Sequence, residues 1–134
     1  MNTRLLMRAS AIFLGILGAC ATFLPQEILA RAGTMPVEFT VVLVQVAGAL
    51  YLGFGMLNWM AQGSIIGGIY GRPVAIGNLA HFTIGALSLL KSIVTGQRSP
   101  EVIAGAAAYA IFAIAFAVLA FGHSPRADTV PPQL

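Results

Sequence analysis

The chain has 134 residues, 58% of them apolar and 8% charged, where soluble domains run about 45–50% apolar and about 25% charged. Seven basic and four acidic side chains are too few to solvate a globule of this size, and a net charge of +3 is too small for a basic nucleic-acid face. Soluble, disordered and nucleic-acid-binding classes are thereby excluded, which leaves an integral membrane protein.

A helix needs about 20 apolar residues to cross a hydrocarbon core about 30 Å thick. Four segments qualify: about 5–24, 37–60, 73–94 and 101–122. Their continuous apolar runs differ from the alternation of a barrel strand. The expected fold class is all-α, a membrane-spanning antiparallel four-helix bundle. It forms one domain over 1–123, followed by a polar, proline-rich tail over 124–134 that is expected to be disordered.

The first span follows Arg4 and Arg8 and closes at Pro25. Arg4, Arg8 and the apolar run after them also resemble a signal peptide, and Leu17-Gly18-Ala19-Cys20 a bacterial lipobox. The apolar run continues through Ala21 to Leu24, however, and cleavage would leave three spans, so an uncleaved helix is expected. Ala11, Gly15, Gly18 and Thr22 make a small-residue seam for a neighbouring helix. A single cysteine, Cys20, excludes an internal disulfide or a paired-thiol redox centre. Residues 26–33 read as a short interfacial helical turn.

Met35-Pro36 is expected to open the second span, in which Gly48 and Gly55 lie beside Gln45 and Leu52. Asn58 and Trp59 end it. The loop from Gln62 to Arg72 has four glycines but lacks the Gly-Lys-Ser/Thr ending of a phosphate loop. A flexible turn dipping into the membrane is expected there. Arg72-Pro73 opens the third span, where Asn78, His81, Gly85, Ser88 and Ser92 share an arc of about 80° and are expected to face the bundle. Lys91 lies off that arc, within reach of the interface. Ser99-Pro100-Glu101 reads as an N-cap, a first-turn proline and an acid on the positive end of the dipole. In the fourth span, Ala106, Ala110, Ala113, Ala117 and Ala120 form the expected packing seam. Tyr109, Phe112, Phe116 and Leu119 are left for lipid or a second subunit.

Counting residues from the span ends sorts the polar groups by depth. Arg8, Asn58, Trp59, Arg72, Asn78 and His81 fall in the inner half and form the candidate ligand-binding group. Gln45 and Tyr109 fall in the outer half and are expected to meet across the bundle. Intramembrane polar groups are costly and point to function or to interhelical hydrogen bonds. His81 alone suits a hydrogen-bonded core histidine better than a metal or haem site, which would need further ligands. His123 lies past the last span. No catalytic residue, metal or cofactor is expected. Acid–base chemistry at His81 would need a second ionisable group beside it, with Arg8 and Tyr70 as candidates.

Four spans place both termini on one side. Arg4, Arg8, Arg72 and Arg126 share that side, against Arg31, Lys91 and Arg98 on the other, which favours cytoplasmic termini in a bacterial inner membrane.

Small multidrug transporters carry an acid in the first span, absent here. The arginine-containing glycine motif of fluoride channels and the Arg, Asn and Glu motif of membrane glutathione enzymes are also missing. In layout the chain resembles the small four-helix bacterial membrane proteins of the DoxX-like kind. The resemblance rests on Pro25, the glycines within 48–55, the Gly71-Arg72-Pro73 turn and a short lead into the fourth span. It implies a fold and no functional residues. The expected function is a non-enzymatic subunit or scaffold whose partners are the lipid bilayer and a second copy or a larger membrane complex. The alternative is a binder or transporter of a small lipophilic molecule at His81.

Overall fold

The computed structural model describes residues 2–63 and 71–122. Over those residues the chain is all-helical: α1 (Thr3–Phe23), α2 (Pro25–Arg31), α3 (Glu38–Ala61), α4 (Gly71–Val94) and α5 (Pro100–Phe121). All but α2 are long and apolar enough to cross a bilayer, which makes the chain a multi-pass helical membrane protein. At 1.5 Å per residue, 21 to 24 residues span about 32–36 Å, enough for a hydrocarbon core of about 30 Å. The expected tail, His123, Tyr70 and the glycine-rich residues 64–70 lie outside the described residues.

The helix ends follow local chemistry. The Asn2 side chain caps α1 by accepting from the Leu5 amide. Pro25 has no amide hydrogen to continue α1, and its fixed φ suits the first position of α2. The short interfacial turn expected at 26–33 is α2. It ends at Gly33, whose φ of +71° favours glycine. There the Thr34 amide donates to the Leu29 carbonyl and the Gly33 amide to the Ala30 carbonyl, a Schellman closure. Gly96 closes α4 in the same way at φ +115°, with Gln97 donating to Ser92. The Ser99 side chain caps α5 and Pro100 is its first residue, as expected. The opening of α3 differs from expectation. Val37, not Met35, is its N-cap, and Pro36 precedes the helix. Thr40 secures this turn by donating its hydroxyl to the Val37 carbonyl at 2.8 Å, and Glu38 supplies the first-turn acid.

The chain divides into two compact units, Met1–Ser64 and Ile65–Leu134. In the first, α1 packs antiparallel on α3 along the seam expected from the sequence. A Cβ on Gly18 would stand 2.7 Å from the Leu52 amide nitrogen and 2.8 Å from the Gly48 carbonyl oxygen. One on Gly48 would stand 2.5 Å from Thr22 Oγ1 and 2.7 Å from the Thr22 nitrogen. Further along, Gly55 lies against the Ala11 carbonyl and Gly15. Contact this close is available only to glycine, and it is how helices associate where lipid removes the hydrophobic drive between them.

In the second unit α5 lies against α4, but through the face left above for lipid or a second subunit. Tyr109, Phe116 and Leu119 are the buried residues of α5. The alanine seam is therefore corrected to a flank. The reason lies on α4, where the fully buried Phe82 needs rings to pack on. It stacks on Phe112 (centroids 4.8 Å apart, 23°) and Phe116 (5.7 Å, 11°) and meets Tyr109 edge-on (5.3 Å, 66°). Gly85, one turn on, provides the hollow for the Tyr109 ring, whose Cδ1 and Cε1 occupy the space a Cβ would take. Aromatic pairs of this kind add about 0.5–1.5 kcal/mol each beyond area burial, and alanines at the same places would leave the space unfilled.

Candidate functional site

Each polar residue expected within the membrane has a defined setting. In the first unit the α1–α3 seam continues as a ladder of polar contacts towards the start of α1. Ser10 and Asn58 are both fully buried, and Asn58 Nδ2 donates to Ser10 Oγ at 3.0 Å. Ser10 in turn donates to the Met7 carbonyl at 3.0 Å. Less than a turn further out, Arg8 Nε donates to Gln62 Oε1, just past the end of α3. Trp59 shares this level and is exposed. At the other end of the seam, Gln45 Nε2 donates to the Thr22 carbonyl at 3.4 Å. Thr22 Oγ1 is buried with no hydrogen-bond partner among the described residues. It lies where a Gly48 Cβ would project, which is the direction of a Gly48 Cα–H bond, a weak donor of the kind common between close-packed helices.

In the second unit Asn78 is fully buried on α4 and donates Nδ2 to the Val74 carbonyl of its own helix at 2.9 Å. His81 is half-buried. Its ring meets Phe82 edge-on at 5.1 Å and Tyr109 at 5.6 Å, and Nε2 stands 3.4 Å from Tyr109 Oη in a hydrogen bond whose direction follows the ring tautomer. The polar arc of α4 holds for Asn78, His81 and Gly85. Ser88 departs from it: it is exposed and donates to the Ile84 carbonyl at 2.9 Å. Arg72, near the start of α4, is also exposed.

The candidate residues fall in both compact units. Arg8, Asn58 and Trp59 belong to the α1–α3 pair, and Asn78, His81 and Arg72 to α4. Of the expected outer-half pair, Gln45 donates to the Thr22 carbonyl in the first unit, and Tyr109 shares a hydrogen bond with His81 in the second. Two residues that sequence reasoning missed complete the settings: Ser10, partner of Asn58, and Gln62, partner of Arg8. The antiparallel register contains the signal for both, since the first turns of α1 must lie beside the last turn of α3.

Among the described residues, no group of three His, Cys, Asp or Glu side chains is placed to hold a metal ion. The second unit carries an open apolar groove of about 280 Å³ between α4 and α5, lined by Thr83, Ala86, Leu87 and Leu90 on one side and Ala106, Ala110, Ala113 and Ile114 on the other. Neither His81 nor Asn78 lines it. The described chemistry at His81 includes an imidazole beside a phenol. That arrangement suits a fixed interhelical contact, and a ligand would have to displace it. The chain matches no protein-family model, no curated protein and no solved structure.

Proposed function

We propose that the protein is a non-enzymatic structural subunit of a bacterial inner membrane, a small helical bundle that associates with a second copy or a larger membrane complex through the apolar outer surfaces of its helices. The setting of His81 carries this reading. Its imidazole, within the third span, is engaged by the ring and hydroxyl of Tyr109 and by Phe82. A ligand site would hold it towards a cavity. Ser10–Asn58 and Gln45–Thr22 hydrogen bonds support the same reading, since each joins one helix to its neighbour. The resemblance in layout to DoxX-like proteins is consistent with a small bundle of this kind.

The test uses His81→Ala and His81→Phe in mild detergent. For a structural His81, the alanine variant unfolds at a lower denaturant concentration, and the phenylalanine variant, which keeps a ring against Phe82 and Tyr109, recovers most of the loss. Wild-type stability in both variants, with loss of a co-purifying small molecule, would overturn the reading. Extraction into nanodiscs with measurement of the assembly mass checks the subunit role. An assembly heavier than one 13.9 kDa chain is expected.

The second reading, a binder of a small lipophilic molecule, draws on the α4–α5 groove rather than on His81. It would be favoured if the extracted protein is a single chain carrying one such molecule, displaced by Ala110→Phe, which fills the groove.

A further inference from the structure

We infer that the start of α1 and the end of α3 form a binding site for the phosphate group of an anionic phospholipid. The inference does not depend on the subunit reading. Arg4 and Arg8, four residues apart in the first two turns of α1, lie on one face of the helix, and both are exposed. Arg8 is not a loose side chain. Its Nε is bound by Gln62 Oε1, which fixes the plane of the guanidinium and leaves the Nη donors of the fork for a ligand. A planar fork of this kind matches two oxygens of a phosphate. No carboxylate pairs with either arginine among the described residues.

The acids of this unit, Glu27 and Glu38, belong to the other end of the hairpin. Glu38 opens α3 and Gln62 follows its last residue, about 36 Å away at 1.5 Å per residue. From Phe39 to Gly71 the sequence contains no charge at all. Among the described residues of this unit, the Arg4–Arg8 end is therefore purely cationic. It is also at headgroup level. The span begins within the first turns of α1, and Trp59, the chain's single tryptophan, sits in the last turn of α3 with 52% of its surface exposed. Indole at that position marks the membrane–water interface. Leu5 and Ile12, exposed on the same helix, offer apolar surface along which acyl chains can lie. Cationic charge, a fixed donor fork and adjoining apolar surface together select an anionic lipid over a soluble anion.

Trp59 is the reporter. The protein is reconstituted in bilayers containing brominated phosphatidylglycerol or brominated phosphatidylcholine at equal mole fraction, and quenching of Trp59 gives the relative occupancy beside it. Each basic residue near a lipid surface is worth about a fivefold preference for anionic over zwitterionic lipid. Stronger quenching by phosphatidylglycerol is expected in the wild type, falling about fivefold in Arg4→Gln and again in the Arg4→Gln/Arg8→Gln double variant. Arg4 is exposed and its side chain makes no hydrogen bond or ion pair among the described residues, so the single variant remains informative if the double variant fails to insert. Equal quenching by the two lipids in the wild type would overturn the inference, as would a preference unchanged in Arg4→Gln. An equal fall in Lys91→Gln would show general charge attraction and overturn the site. Loss of the preference on replacing chloride by inorganic phosphate at constant ionic strength would show a free-anion site and overturn the lipid assignment.

Discussion

Gly48 and Gly53 lie five residues apart in the same helix and meet different surroundings. A Cβ on Gly48 would stand 2.5–2.9 Å from Thr22 Oγ1, the Thr22 nitrogen and the Gly18 carbonyl oxygen, whereas one on Gly53 would meet nothing within 4 Å. Two of the three Gly48 contacts are backbone atoms, so relief requires the helices to part. Gly48→Ala should destabilise the α1–α3 pair by about 1–3 kcal/mol, the usual cost of overpacking, while Gly53→Ala should be neutral or mildly stabilising through helix propensity. Unfolding of both variants in the same detergent checks the contrast, and equal losses would refute the close contact at Gly48. The Ser10–Asn58 hydrogen bond calls for a double-mutant cycle. Interhelical hydrogen bonds in membranes average about 0.6 kcal/mol, because the separated helices find other partners in lipid. Ser10→Ala and Asn58→Leu should couple by about that amount. A coupling near zero would show that the bond contributes nothing to pairing.

At the scale of the element, the two hairpins use opposite solutions to the same problem. The α1–α3 pair brings backbones together over glycine, and the α4–α5 pair holds them apart with rings. Only the first was readable as a seam. Gly18, Gly48 and Gly55 have no other use at helical spacing, so their pattern points to close approach. Alanine is ambiguous: small enough to pack, and also the best helix former, equally at home on a flank. The ring-bearing residues 109, 112 and 116 recur at helical spacing as well, but sequence alone does not say whether lipid or Phe82 covers them. That depends on which face of α4 turns towards α5, a tertiary choice decided by the Gly85 hollow and the Phe82 ring. The same ambiguity hid the His81–Tyr109 contact, because depth counted from the span ends separates two residues that a tyrosine side chain bridges. Helix ends were far more legible: Pro25, Gly33, Gly96 and Ser99 act through local geometry that needs no partner. The packing assignment has a direct check. Phe116→Ala, at a fully buried position, should cost about 3 kcal/mol or more from the cavity it leaves, whereas Ile111→Ala, at a position 66% exposed, should cost little. A reversal of that order would restore the alanine face as the contact surface.

At the scale of the whole molecule, the connections decide which ends share a side of the membrane. Between α1 and α3 lie only α2 and two short connections, and the register of Ser10 with Asn58 and of Thr22 with Gly48 requires the two spans to run in opposite directions. Asn2 and Gly63 must therefore be on one side and Thr34 on the other. For α4 and α5 the five-residue turn between Val94 and Pro100 imposes the same reversal, with Gln97 at its apex. If all four long helices cross the membrane, Gln97 is expected on the side of Thr34 and the end of α5 on the side of Asn2. The arginine balance of the sequence predicts that this side is cytoplasmic, since basic residues near span ends resist translocation. Replacing Cys20, the single native thiol, by serine permits single cysteines to be placed at Asn2, Thr34, Gly63 and Gln97. A membrane-impermeant maleimide applied to intact cells should label the Thr34 and Gln97 positions and spare those at Asn2 and Gly63 until the membrane is opened. Labelling of Thr34 without Gln97 would mean that an odd number of crossings separates them and that one of the four long helices does not span. The inverse pattern, with Asn2 and Gly63 labelled from outside, would keep all four spans and reverse the orientation. The Arg4–Arg8 end would then face the outer leaflet.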